Sequence, residues 1–205
     1  MRILFLLLFA IIYSFGCLEN SNSPNSKTIV KILFIGNSLT YTNDLPKLVR
    51  LKAKENGVII KTKIIAKPNY AIVDHLSEGS IQKELQSKEY DFIIIQQGPS
   101  SQAEGRELLI ESGKKINSLI KNTKTRLVYF MVWPSLNYYQ SFSGVIKNHQ
   151  DAARLNNTIL CPVGEVWKAH FDATNNFDYY SPDGFHPSLK GSKVAAKVIV
   201  KTLFK

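Results

Sequence analysis

The sequence predicts an α/β protein: a mainly parallel, five-stranded sheet between two layers of helices, a three-layer α/β/α sandwich. Two observations lead to this prediction. Short apolar runs rich in β-branched residues alternate with helical patterns from residue 28 to residue 205. Runs of this kind that end at Gly or polar residues are typical of buried parallel strands. Repeated strand–helix–strand connections then favour a parallel sheet with helices on both faces.

Length and composition are consistent with one globular domain. The chain has 205 residues, of which 44% are hydrophobic and 20% are charged, and this length can bury a sizeable core. The net charge of +10 is unusual, but the lysines are scattered along the chain. No basic motif is interleaved with aromatic residues, so we expect no nucleic-acid partner. The charge indicates solubility and some attraction to anionic surfaces.

Residues 1–17 form a predicted targeting segment. Arg2 precedes an apolar run from Ile3 to Tyr13, which is too short to span a bilayer. The following Ser14-Phe-Gly-Cys17 resembles a bacterial lipoprotein signal, in which Cys17 would be lipidated and become the mature first residue. Ser14 departs from that pattern, which more often has Leu there. Ordinary signal cleavage and an uncleaved anchor are the alternatives. We expect an exported lipoprotein anchored to a membrane of a bacterial envelope, on the periplasmic or surface side.

Residues 18–27 are polar and predict a flexible tether ahead of the folded domain at residues 28–205. The chain has two cysteines. If Cys17 carries lipid, Cys161 has no partner, and we expect a buried thiol on a late strand.

Five strands and six helices are predicted in alternation. The strands are Thr28–Gly36, Val58–Ala66, Phe92–Gln96, Arg126–Trp133 and Thr158–Val163. The helices are Leu45–Asn56, Ala71–Ser87, Glu104–Asn122, Val145–Asn156, Glu165–Phe171 and Leu189–Leu203. Gly57 follows the first helix, as glycine often does at a helix end.

The first strand ends abruptly at Gly36-Asn37-Ser38. A serine at the carboxyl end of such a strand lies where open α/β sheets place their ligands. Backbone N–H groups at the start of a following helix would also favour negative charge there. The alternative is a simple strand-to-helix turn in which Ser or Asn is the N-cap.

A second motif, Ser181-Pro-Asp-Gly-Phe-His-Pro-Ser188, precedes the last helix. Asp183 and His186 are three residues apart, so one turn of chain can bring the carboxylate beside the imidazole. A carboxylate that orients a histidine, which in turn takes a serine proton, is the arrangement of nucleophilic catalysis. A polar capping loop is the alternative for Asp-x-x-His alone.

Together, Gly-Asn-Ser-Leu-Thr after the first strand and Asp-x-x-His before the last helix resemble the SGNH/GDSL hydrolase superfamily. The resemblance spans Ile29 to Phe204 and implies a flavodoxin-like sheet of order 2-1-3-4-5. It implies ester hydrolysis through an acyl-enzyme on Ser38, with His186 as general base and then acid and Asp183 orienting it. It implies no metal and no organic cofactor.

The middle of the chain departs from the superfamily at the residues that bind the oxyanion. After the second strand, Lys67-Pro-Asn-Tyr70 has no glycine, and Asn69 is our candidate because Asn tolerates unusual backbone angles. After the third strand, alignment on Gly98 puts Ser100 where the superfamily has Asn. Gln96, Gln97 and Ser100 are all placed to donate, and we favour Gln97 or Ser100. This block resembles a Gln-rich SGNH subgroup. These polar groups would otherwise only satisfy their own loop backbone.

The remaining polar and aromatic residues carry weaker predictions. Trp133 and Tyr138 are candidates to stack on a sugar or acyl group, although core or rim packing is the commoner fate of such aromatics. His75, His149 and His170 lack partners at metal-ligand spacing, so we expect no metal site. Lysines spaced three or four apart on the last helix predict a solvated face, or one that meets anionic headgroups.

The expected function is that of an exported serine esterase, with O-acyl groups on carbohydrate as first candidate substrate. The predicted partners are thus a small-molecule or glycan ester and, through Cys17, a membrane. Two alternatives remain: a non-catalytic carbohydrate- or lipid-binding lipoprotein on the same fold, and an acyltransferase with the same triad.

Overall fold

The computed structural model describes residues 29–204. The predicted signal segment, its Cys17 and the tether lie outside the described residues. Among residues 29–204, no helix is both long enough and apolar enough to cross a bilayer.

Five parallel strands form one sheet, and their order is β2-β1-β3-β4-β5. This confirms the predicted order. The strands are β1 (Ile29–Gly36), β2 (Ile59–Ala66), β3 (Phe92–Ile95), β4 (Arg126–Phe130) and β5 (Ile159–Cys161). All four strand pairs are parallel, so the loops that follow the strands meet at one edge of the sheet. In this order β1 lies between β2 and β3, so the direction in which successive strands are added reverses beside β1.

Eight α-helices and two short 3₁₀ segments connect and cover the strands within residues 29–204. The helices are α1 (Ser38–Tyr41), α2 (Leu45–Glu55), α3 (Ile72–Ser77), α4 (Ser80–Ser87), α5 (Ala103–Leu119), α6 (Phe142–Leu155), α7 (Val163–Thr174) and α8 (Leu189–Leu203). The 3₁₀ segments are Thr42–Asp44 and Leu136–Ser141.

Two buried clusters lie on the two faces of the sheet, as strand alternation requires. On one face, Ile32 and Phe34 of β1 pack with residues of α2, α7 and α8. On the other face, Leu33 and Ile35 pack with residues of α3, α4, α5 and α6. Cys161 of β5 belongs to the first cluster. Its thiol is fully buried, and burial raises its pKa to about 12. The predicted buried thiol on a late strand is confirmed.

Some predicted boundaries are wrong. The single helix predicted over Ala71–Ser87 is two helices, because Gly79 adopts a left-handed conformation at φ 76° between them. β4 ends at Phe130, three residues before the predicted end. Residues 131–133 stay buried but extend past the end of the neighbouring β5, which stops at Cys161. The helix predicted from Glu165 begins at Val163.

Candidate active site

Ser38 is the first residue of α1, directly after the end of β1. The N-cap is Asn37, whose side-chain Oδ1 accepts a hydrogen bond from the Leu39 N–H at 3.1 Å. The Asn37 amide also donates to the Tyr70 carbonyl at 3.0 Å. Because Asn37 takes the capping role, the Ser38 hydroxyl is free for another partner.

Gln96, at the end of β3, holds the turn that carries Ser38. Its Oε1 accepts hydrogen bonds from the Asn37 N–H at 3.0 Å and from the Thr40 hydroxyl at 2.7 Å. A backbone N–H can only donate, so this contact fixes the orientation of the carboxamide. The sequence indicated Gln96 as a donor, and the structure shows an acceptor that spans β3 and the start of α1.

Gly36 permits this close approach. A Cβ at Gly36 would lie 2.4 Å from Thr40 Oγ1 and 2.5 Å from Gln96 Oε1. Its carbonyl oxygen is 2.8 Å from the buried His75 Nε2. The end of β1 is therefore tied to both neighbouring connections, and Ser38 leaves it in a fixed direction.

His186 connects Ser38 to Asp183. The Ser38 hydroxyl lies 2.9 Å from His186 Nε2, and His186 Nδ1 lies 2.6 Å from Asp183 Oδ2. An ionised carboxylate only accepts hydrogen bonds, so Nδ1 carries the proton and Nε2 presents its lone pair to the serine. The three residues predicted as a triad lie together in the order that proton transfer requires.

Asp183 is held in its ionised form by a set of donors. Its Oδ1 accepts from the Ser181 hydroxyl at 2.8 Å and from the N–H groups of Phe185 and His186, both at 2.9 Å. Desolvation opposes the charge, but these bonds and the one from the His186 ring hold the pKa of Asp183 well below its ordinary value. The negative charge opposite His186 Nδ1 thus persists across the neutral range.

Hydrogen bonds within the loop and to its neighbours hold the loop that carries Asp183 and His186. The Ser181 N–H donates to the His186 carbonyl at 2.8 Å and closes the loop on itself. The Trp133 indole donates to the Phe185 carbonyl at 3.0 Å, and the Tyr180 hydroxyl donates to the Pro134 carbonyl at 2.7 Å. On the other side, Asn43 donates to the Pro187 carbonyl at 2.9 Å.

A cavity of about 370 Å³ opens beside Ser38. Asn69, Gln97 and Ser100, the candidate oxyanion residues, all line it. Asn69 has a φ of 62°, the left-handed conformation that the sequence led us to expect there. The loops after β2 and β3 therefore converge on Ser38 from either side of β1.

The Ser100 hydroxyl is already engaged within its own loop. Gln97 Nε2 donates to Ser100 Oγ at 2.8 Å, and Ser100 Oγ donates to the Gly98 carbonyl at 3.1 Å. A hydroxyl has one proton, whereas a carboxamide nitrogen has two. Gln97 therefore keeps one N–H for another acceptor, and Ser100 has none in this arrangement. The sequence alone could not separate these two residues.

The two aromatic candidates for substrate binding lie away from the cavity. Trp133 is fully buried and stacks on Trp167, with ring centroids 3.4 Å apart. Its predicted role in substrate binding is wrong, because both ring faces belong to the core and its N–H holds the Asp183 loop. Tyr138 is 65% exposed and is not among the residues that line the cavity beside Ser38.

Three other histidines have structural environments. His149 is buried on α6, where its Nδ1 donates to the Val145 carbonyl at 2.8 Å. Burial lowers the pKa of His149 to about 4. His75 lies against Gly36, and His170 stacks on Tyr179. Within residues 29–204, no three His, Cys, Asp or Glu side chains are grouped closely enough to hold a metal ion.

This chain is similar to known proteins in its structure, and not detectably in its sequence. No protein-family model matches the chain, and no curated protein matches its sequence. Solved structures do match over most of their lengths. One is a protein of Slackia heliotrinireducens classed as a candidate SGNH hydrolase, with 22% identity and a TM-score of 0.73. The match covers 86% of this chain and 100% of that one.

Two further structures have comparable similarity. A DUF4886 family protein from Bacteroides uniformis has 17% identity and a TM-score of 0.73, and the match covers 86% of this chain and 83% of that one. Axe2, an acetylxylan esterase from Geobacillus stearothermophilus, has 13% identity and a TM-score of 0.66, with 87% and 97% covered. At these identities the comparison establishes the fold. The predicted resemblance to SGNH/GDSL hydrolases is confirmed at that level.

Proposed function

We propose that this chain is a serine ester hydrolase with Ser38 as its nucleophile. The observation that supports this most directly is the continuous hydrogen-bonded series from the Ser38 hydroxyl through His186 to Asp183. The series lies at the carboxyl edge of a parallel sheet, beside a cavity, on a fold shared with known esterases. Fold similarity alone would not support a reaction.

The proposed reaction has two halves. His186 Nε2 takes the proton of Ser38 as Oγ attacks the ester carbonyl, and Asp183 stabilises the imidazolium that results. His186 then returns this proton to the departing alcohol, which leaves the acyl group on Ser38. In the second half, His186 takes a proton from water as the hydroxide attacks the acyl carbonyl. The bond from that carbonyl to Ser38 Oγ then breaks, His186 returns the proton to Ser38 Oγ, and the carboxylic acid is released.

Negative charge on the attacked carbonyl oxygen needs fixed donors. We assign the Ser38 N–H, the free N–H of the Gln97 carboxamide and the backbone of Asn69 to this role. Asn69 and Gln97 line the cavity from opposite sides of β1. The Gln97 carboxamide is held by its bond to Ser100, so little reorganisation would accompany catalysis.

An O-acyl group on carbohydrate is the substrate class that we propose. The cavity combines polar side chains, such as those of Asn69 and Gln97, with apolar ones from Leu108 and Phe185. Axe2, which has the same fold, is an acetylxylan esterase. An acyltransferase would use the same first half-reaction with an alcohol in place of water, and a binding protein would use neither half.

A fluorophosphonate probe followed by peptide mapping tests the proposal. We expect the label on Ser38, and no label in Ser38→Ala. Hydrolysis of p-nitrophenyl acetate, with and without an added alcohol acceptor, then separates a hydrolase from a transferase. A folded protein that neither reacts with the probe nor cleaves the ester would leave only the binding function.

We also propose that the protein is exported and anchored through lipid on Cys17. The support is the apolar run from Ile3 to Tyr13 followed by Ser14-Phe-Gly-Cys17. Mass spectrometry of the mature amino terminus should find a diacylglyceryl-modified Cys17, and Cys17→Ser should release the protein from membranes. Cleavage at another residue, or an unmodified Cys17, would contradict the proposal.

A further inference from the structure

A cationic groove runs along the free edge of the sheet. Two adjoining depressions, of about 510 and 600 Å³, lie between β2 and α4 and share Lys63, Ser87 and Lys88 in their linings. Six lysines and two glutamates, Glu84 and Glu89, line the two depressions. We call this feature the β2 groove, and its lysines are Lys31, Lys61, Lys63, Lys67, Lys83 and Lys88.

Strand register places several of these lysines on one face. Lys31 of β1 is the direct neighbour of Lys61 on β2, and Lys63 is two residues further along the same face. Neighbouring strands are about 4.8 Å apart, so the first two lysines lie next to each other and repel. On β1, this face continues into the buried Leu33 and Ile35. Helices cover the part of this face that carries Leu33 and Ile35, and the part that carries the lysines stays exposed.

Few carboxylates neutralise these lysines. Within residues 29–204, Lys67 pairs with Glu78 at 2.6 Å, and Lys88 lies 3.8 Å from Glu84. Glu84 also accepts a hydrogen bond from the Tyr90 hydroxyl. Lys31, Lys61, Lys63 and Lys83 form no ion pair in the described part of the chain. The groove therefore offers four free ammonium groups to an anion.

Along the chain, the β2 groove ends two residues before the cavity beside Ser38 begins. Lys67, at the carboxyl end of β2, lines the second depression. Two residues later, Asn69 lines the cavity beside Ser38, together with Tyr70. Along this strand the linings run from Lys61 to Lys67, so at about 3.3 Å per residue the groove extends for roughly 20 Å. That length suits an extended chain rather than a single small anion.

We propose that the β2 groove binds an extended anionic glycan, with carboxylate groups along its chain, and directs one of its esters to Ser38. This inference deepens the proposed function, on which its catalytic part rests. An anionic lipid surface is the alternative partner, and tighter binding to anionic vesicles than to a carboxylate polymer would contradict the proposal. Proteins that bind single-stranded nucleic acid typically stack its bases on exposed aromatic side chains, and Tyr90, the one aromatic residue in the two linings, is buried.

Binding to polygalacturonate, a carboxylate polymer without esters, tests the groove independently of catalysis. The full chain with Ser38→Ala serves as the binding protein, and the groove pair Lys61→Gln/Lys63→Gln is combined with it. The matched control is Lys114→Gln/Lys115→Gln, two exposed lysines of α5 that line neither depression. Both pairs remove the same net charge.

We expect Kd to rise roughly tenfold in the groove pair and to change by less than twofold in the control pair. Raising the salt concentration from 0.05 to about 0.3 M should weaken binding by the unsubstituted groove, because such charges are screened over about 10 Å at 0.1 M. No binding at low salt, or equal weakening by both pairs, would overturn the proposal. So would tighter binding of single-stranded DNA than of the polymer.

Lysines on an edge strand also prevent strand-to-strand association. If that were their sole role, the groove pair would self-associate while binding polygalacturonate as before, and the proposal would fail. Catalysis is measured separately in the chain with Ser38. The groove pair should raise KM for acetylated polygalacturonate and leave hydrolysis of p-nitrophenyl acetate unchanged. Polymer binding without any ester cleavage would support the groove and contradict the esterase.

Discussion

The Trp133 indole N–H donates to the Phe185 carbonyl oxygen at 3.0 Å and so connects the buried end of β4 to the loop of Asp183 and His186. Trp133 also stacks on Trp167, whose own indole nitrogen is buried without a hydrogen-bond partner among the described residues. The two tryptophans share one stack, but of the two only Trp133 donates a hydrogen bond to the catalytic loop.

Trp133→Phe should therefore lower both stability and activity, whereas Trp167→Phe should lower mainly stability. Each loses part of a buried aromatic stack, which costs roughly 1–3 kcal/mol of unfolding free energy. Only Trp133→Phe frees the Phe185 carbonyl, and a small displacement of His186 should reduce kcat by roughly tenfold or more. Thermal unfolding and ester hydrolysis measure the two effects. Equal kcat in the two variants would show that the hydrogen bond does not position the loop.

Removal of any triad member should nearly abolish ester hydrolysis. Ser38→Ala and His186→Ala should each lower kcat by several orders of magnitude, because the three residues act as a unit. Asp183→Asn should lower kcat by roughly 10³–10⁴, since an amide no longer selects the tautomer with the proton on His186 Nδ1. Rates are measured on p-nitrophenyl acetate after circular dichroism has confirmed the fold. Undiminished hydrolysis by purified Ser38→Ala would end the assignment.

Gln97→Ala should lower kcat by about 10²–10³, the usual loss on removal of one oxyanion donor. Ser100→Ala should have a smaller effect, because its hydroxyl proton is committed to the Gly98 carbonyl and its role is to hold Gln97. Asn69→Ala should also have a small effect if its backbone is the donor. Turnover under substrate saturation ranks the three variants. A larger loss in Ser100→Ala than in Gln97→Ala would reverse the assignment.

Gln96→Met should slow turnover without any contact between Gln96 and substrate. Methionine has a similar length but offers no strong acceptor, so the buried Asn37 N–H would lose its partner at roughly 1–3 kcal/mol. We expect a fall in kcat of about tenfold with little change in KM, and partial recovery in Gln96→Glu. Thr40→Val is the matched control, because it removes only the second donor to Gln96. A change in KM alone would contradict a positioning role.

Acidification should destabilise the protein through His149 before most carboxylates are protonated. Its pKa is lowered from 6.5 in the unfolded chain to about 4 in the folded one. Between these values the unfolded state binds a proton that the folded state does not, so stability is complete above pH 6.5 and falls as pH approaches 4. The loss is roughly 3 kcal/mol at about 1.4 kcal/mol per pH unit.

Denaturant unfolding of the native chain and of His149→Gln, at pH 7 and at pH 4, measures this loss. The free-energy difference between the two proteins should shift in favour of the variant by that amount at the lower pH. Parallel pH curves for the two proteins would exclude His149 as the source.

Local sequence patterns predicted the strands and the Asp183–His186 pair because each depends on short-range information, whereas the partnership of this pair with Ser38 came from the family resemblance. A β-branched run ended by Gly36 predicts a strand with a ligand-facing end, and Asp183 and His186 are close enough to meet in one turn of chain. The predicted order of strands came from the family resemblance that these two motifs support, and the structure has the same order.

Features that depend on tertiary packing were not predictable in the same way. Gly79 was compatible with a continuous helical pattern, and only the left-handed turn it makes divides α3 from α4. Trp133 was a candidate because an aromatic side chain can stack on a substrate. Its burial depends on Trp167, which is distant in sequence. The role of Gln96 depends on β3 lying beside β1, since its partners are 56 and 59 positions away.

The nucleophile of the proposed triad is synthesised long before its two partners. Ser38 and His186 are 148 positions apart, and all five strands are complete by Cys161. A ribosome therefore releases the whole sheet, with the nucleophile at its edge, before the base and its carboxylate emerge. Until then Ser38 has no group to take its proton. A chain truncated before Asp183 would keep the nucleophile but lack both the base and its carboxylate, and we expect it not to hydrolyse esters.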